Sequence, residues 1–113
     1  MSTTGTDSLL TLTATENSST ASPVLTLKRN SGSVADADYL GRIIFKGEND
    51  ADQEVTYARV SGKILDASDG TEDGIIEISH IKAGSQVITS RFRSDSYQLL
   101  NSTSLTVNGA VST

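Results

Sequence analysis

The residues of this chain whose types and spacing could do chemistry are carboxylates. In Ile64–Ser79, ILDASDGTEDGIIEIS, the acids Asp66, Asp69, Glu72 and Asp73 lie between two apolar runs, punctuated by Gly70 and Gly74. Such a stretch could cage a calcium ion, supply a catalytic carboxylate pair, or join two strands as a solvated turn. Calcium loops space their oxygen ligands at alternate positions so that the backbone wraps the ion. Here Asp66 and Asp69 are three apart, while Glu72 and Asp73 are adjacent. Glu48, Asp50, Asp52 and Glu54 alternate more suitably, yet they lack the central glycine and the downstream bidentate glutamate. A glycosidase pair needs carboxylates ~5–10 Å apart in a cleft, and a chain with no Trp and few aromatics is a poor sugar platform. Asp and Gly are also ordinary turn formers, Asp by bonding nearby amides and Gly by accepting positive φ. The turn is therefore the leading reading, with Asp66, Asp69, Glu72 and Asp73 kept behind it as candidate cation ligands.

Other chemistry is thinner. His80 has neither a Cys partner nor a second His, and it lies in a strand-like run, so it reads as a strand residue rather than a base or ligand. No G-x-x-x-x-G-K-[ST] or G-x-G-x-x-G sequence is present to cradle phosphates. Two N-x-[ST] sequences, at Asn17 and Asn101, read as chance matches in a Ser-rich chain. The expectation is a non-enzymatic protein with no metal and no cofactor.

The elements that would position these residues follow from composition and period. At 113 residues the chain reads as one small domain. Leu, Ile, Val and Phe make up about 24% of it, just above the level at which disorder becomes the better reading. Without Cys there is no disulfide to staple so thin a core, which leaves oligomerisation as the common remedy. The net charge of −5 argues against a nucleic-acid surface. No apolar run approaches the ~18–20 residues that cross a bilayer. MSTTGTDSLL lacks a basic stretch followed by an apolar one, so a cytoplasmic product is expected.

Residues 1–22 are Ser/Thr-rich and read as an arm that orders on assembly, with Leu10 and Leu12 alternating with Thr as a short strand to be added elsewhere. Residues 23–113 read as a β-structured module. Period-two runs occur at Val24–Arg29, Tyr39–Gly47, Val55–Leu65, Gly74–Lys82 and Gln86–Ser94, with YQLL and SLTVNGAV closing the chain. No stretch holds a 3.6-residue period over three turns. Six to eight short strands divided by Gly/Asn/Asp/Ser turns imply an all-β fold: a small antiparallel sandwich, barrel or prism. Strict alternation puts Tyr39, Ile43 and Phe45 on one face, with Leu40, Arg42, Ile44 and Lys46 on the other.

The charges segregate. All nine Lys and Arg fall in or at the ends of these runs, and most of the fourteen acids fall in turns. One reading is a solvated sheet face on which Lys discourages edge pairing. The sharper reading is that acidic turns of one subunit meet basic faces of the next. Candidate contacts are Leu10 and Leu12 in the arm, and Arg42, Tyr57, Arg59 and Phe92 on mixed apolar–basic faces.

Four pieces in order, LTLKR (Leu25–Arg29), DYLGRIIFKGEND (Asp38–Asp50), EVTYARVSGKILDASDGTEDGIIEI (Glu54–Ile78) and a late VNG, resemble a module of tailed-bacteriophage virion proteins, found in tail fibres and related appendages of marine phages. That pattern runs LxLxR, LGxIxFxG, YAxIxG, DATDGTEDG. The chain departs from it with Ile44–Phe45 where one polar residue is common, and with Ser68 where Thr is common. The resemblance covers about half the chain and transfers no catalytic or receptor-binding residue. It implies a homotrimeric, β-structured virion component, made in the host cytoplasm, whose partners are itself and the major capsid protein or other virion proteins. A chain of this length has room for one module and an arm, which fits a capsid decoration (cement) protein or a head or tail appendage subunit. The alternative is a tail-fibre-type module binding a host receptor or glycan through loops near Tyr39 and Tyr97. A calcium-stabilised adhesin-like domain stands third.

Overall fold

The computed structural model describes residues 1–112. Its regular structure is five strands: β1 (Tyr39–Glu48), β2 (Glu54–Asp66), β3 (Asp73–Lys82), β4 (Ser85–Arg93) and β5 (Tyr97–Leu99). They form one antiparallel sheet in chain order, each strand beside the next, with β1 and β5 as free edges. No helix occurs among the described residues. The all-β expectation holds in this form, and the strand count is lower than expected.

The missing strands are at the two ends of the chain. Val24–Arg29 and the SLTVNGAV run alternate correctly, yet neither is laddered. A strand is completed only by a partner's backbone, and residues 1–34 take part in no backbone–backbone hydrogen bond. Leu27 does touch the sheet. A Cβ added at Gly41 would sit 2.7 Å from that of Leu27, so the absence of a side chain at position 41 is what lets Leu27 lie against β1.

Turn chemistry sets the hairpins. Asn49 organises the β1–β2 loop, its Oδ1 accepting from the amides of Ala51 and Gln53 at 3.0 Å each. Ala83 and Gly84 join β3 to β4 with φ of 47° and 87°, the two-residue turn whose twist matches its strands. The stretch from Asp66 to Asp73 is indeed a strand-to-strand turn. Gly70 has φ 86° there, and Thr71 N–H donates to the Ser68 carbonyl at 3.1 Å.

Four extra residues break the period and decide the faces. Leu40, Tyr57, Leu65 and Thr89 each lack a directly opposed partner in one ladder. Each such bulge exchanges the faces of the residues beyond it. Tyr39 therefore stands opposite Lys63, on the face of Arg42 and Ile44. Strict alternation had set it with Ile43 and Phe45; the bulge at Leu40 is the reason it moves.

Candidate functional site

Directly opposed residues share a face, so the ladders sort the side chains into two surfaces. One carries Arg42, Arg59, Lys63, Arg91 and Arg93, with Glu77 as the acid in mid-strand among them and other acids only at the strand ends. Glu77 is only 3% exposed. Tyr39 donates its hydroxyl to Glu77 Oε1 at 2.5 Å, and Arg91 Nε donates to Oε2 at 3.0 Å. Lys63 Nζ lies 3.5 Å from the same oxygen. The Tyr39 ring lies beneath two cations, with Arg42 Cζ 4.6 Å and Lys63 Nζ 4.2 Å from its centroid. Burial tends to raise the Glu77 carboxyl, but the Tyr39 and Arg91 hydrogen bonds and the Lys63 and Arg91 charges outweigh it. They hold the carboxyl below its ordinary value.

Arg42 Nε donates to Ser61 Oγ at 2.8 Å, and Arg59 Nε to Gln86 Oε1 at 3.3 Å. These long side chains lie along the sheet, their stems covering polar atoms beneath and their heads reaching water. Arg42 and Arg59 thus belong to a tied-down, half-buried polar layer.

The opposite face is apolar. Ile43 and Val60 face each other and continue through Ile78 to Ser90. Phe45 stands opposite Ala58, and the row of Gly41, Gly62, Ile76, Phe92 and Tyr97 crosses all five strands. Phe92 and Tyr97 meet edge-to-face with centroids 5.5 Å apart. His80 is on this side too, its Nδ1 2.6 Å from Thr89 Oγ1. Leu27 touches this face at Gly41, but the rest of it is uncovered: no apolar side chain is buried among the described residues. Ile43, Phe45, Ile76 and Phe92 are 44–54% exposed.

The remaining candidates are dispersed. Tyr57 occupies a bulge, its ring 3.4 Å from where a Cβ on Gly47 would be, and its hydroxyl donates to the Glu48 carbonyl at 3.2 Å. Leu10 and Leu12 are exposed in the N-terminal segment. In the acidic turn, Asp66 accepts from Ser68 N–H at 2.9 Å and Glu72 from Gly70 N–H at 3.1 Å. The Ser68 bonds hold Asp66 below its ordinary value, and the Glu72 and Gly70 amides do the same for Glu72. Asp73 faces Asp66 across the ladder. Among the described residues no three acidic, His or Cys side chains converge as a metal would require. Of these carboxylates, Asp66 and Glu72 serve the turn's own amides.

No family model, curated protein or solved structure matches this chain. Its functional reading therefore rests on the residues and their arrangement. The residue that sequence reasoning passed over is Glu77, which falls inside the period-two run Gly74–Lys82. A signal existed: it is an acid in mid-strand, in a chain whose other acids fall at strand ends, in turns and loops or in the N-terminal segment.

Proposed function

We propose that this protein is a non-enzymatic structural component of a tailed-bacteriophage virion, acting through assembly contacts. It serves as a homotrimeric capsid decoration protein or a head or tail appendage subunit. The observation that carries the assembly half of this reading is the sheet itself, which is well laddered yet buries no apolar side chain. A surface of that kind is complete only against neighbours. The virion half is supported by the resemblance, whose longest pieces form one continuous β1–β2–β3 meander with DASDGTEDG as its second turn. Three such sheets around an axis make a prism, and the unladdered residues 1–22 supply an arm that reaches the next capsomer. The radius of gyration of 18.0 Å, against ~13 Å for a compact chain of this length, fits a subunit with extended ends.

The test is addition of purified chain to particles that lack it, followed by sedimentation and cryo-EM. Saturable binding at a fixed symmetry position is expected. Deleting residues 1–22 should abolish attachment and leave the oligomer intact. Absence of binding to any part of the particle would overturn the virion reading, and attachment retained without those residues would overturn the role of the arm.

A further inference from the structure

We infer that the apolar sheet face bearing Ile43, Phe45, Val60, Ile76, Ile78 and Phe92 is the surface on which copies of this chain associate. The basic face around Glu77 is then left outward. This deepens the self-assembly half of the reading above and rests on it, but it needs nothing from the virion half.

Area comes first. A folded chain of 11.9 kDa is expected to expose ~6,000 Å². This one exposes 9012 Å². The excess, roughly 3,000 Å², is shared between the extended ends of the chain and the uncovered sheet. The apolar face accounts for a definite part of it. The four long strands, about ten residues each at ~3.3 Å per residue and ~4.8 Å wide, give ~600 Å² per copy. Two copies face to face then bury roughly 1,200 Å², where specific interfaces begin.

The occupant is identified by timing and charge. Chain entropy opposes folding at every residue, and this sheet has no buried apolar side chain to offset it. Its cover must be present when it folds, and the molecule always present then is another copy. The chain's own N-terminal segment is not that cover. It reaches this face through Leu27 at Gly41, while Ile43, Phe45, Ile76 and Phe92 remain about half exposed. The face carries no Asp, Glu, Lys or Arg in the paired rows from Ala58 to Gly62, so identical copies meet there without like charges opposed. The other face would set one row of cations against another.

The chain has no Cys, which makes single-thiol labelling direct. In the full-length protein, Ile76→Cys and Arg59→Cys are compared for their rate of reaction with a soluble thiol reagent, with native mass measured by light scattering. The isolated chain leaves Ile76 more open than Arg59, so it predicts faster labelling at position 76. Association through the apolar face reverses that order: an oligomer forms, and position 76 reacts about tenfold more slowly than position 59, or slower still. Phe45→Cys gives the same readout should the first variant fail to fold. An oligomer with position 59 protected and position 76 reactive overturns this inference and leaves self-assembly standing. A monomer, whichever thiol it protects, overturns both.

Discussion

Glu77 keeps its charge at 3% exposure because four groups answer it: Tyr39, Arg91 and Lys63 directly, and Arg42 through the Tyr39 ring. Removing the carboxylate strands two cations on a half-buried layer. Glu77→Ala should therefore cost about 3 kcal/mol, the low end for breaking a buried pair, since Arg91 is partly solvated. Urea unfolding at fixed protein concentration reads this directly. The pH dependence has a definite sign. The folded carboxyl titrates below the ordinary value of 4.5, so its contribution is complete above that value and drains away as pH falls through the folded one. Glu77→Gln should flatten this acid limb; an unchanged limb would show that other groups produce it. Ala83 is the second residue with a local consequence. It holds φ 47° without being Gly, and its turn type favours Asn at that position. Ala83→Asn should raise stability by about 1 kcal/mol, visible as a higher urea midpoint with an unchanged slope.

Strands β1 to β5 correspond to five of the period-two runs read along the chain, and their ends differ by a residue or so. Alternation bounded by turn residues is a local property, so it is visible without a structure. Face membership was less legible. A bulge is one extra residue in a ladder, and it exists only relative to the opposed strand. Tyr39 moved across the sheet for this reason, and with it the core of the Glu77 network. The runs at residues 24–29 and 104–111 have the strand period too, but no ladder within the chain. Gly41 offers a test at this scale. Adding a methyl there puts two carbons 2.7 Å apart, so Gly41→Ala should lift Leu27 off β1. The expected result is faster proteolysis within residues 23–34 with the β-sheet circular dichroism signal preserved. Equal cleavage rates would mean that Leu27 does not hold this segment.

At the scale of the molecule, two forces could organise the proposed assembly. Acidic turns meeting basic faces would be weakened by salt, whereas apolar faces in contact would not. The geometry favours the second. The cations of the basic face are already engaged by Glu77, Ser61, Gln86 and Asp95, while the apolar face is uncovered. The oligomer should survive about 1 M salt, where the screening length falls to ~3 Å, and should tolerate Arg59→Glu. It should dissociate with Phe92→Asp. Dissociation by salt alone would restore the turn-to-face reading.

The sequence by itself determined that the protein is all-β, and where most of its strands and the turn from Asp66 to Asp73 lie. Each of these follows from local spacing, which the chain carries residue by residue. Only the tertiary structure decided which side chains share a face, that one buried glutamate gathers the basic layer, and that the apolar layer stays open. Those properties depend on opposed strands and on the count of residues between them. A period of two cannot record a bulge, and no composition shows whether a hydrophobic face has found its cover.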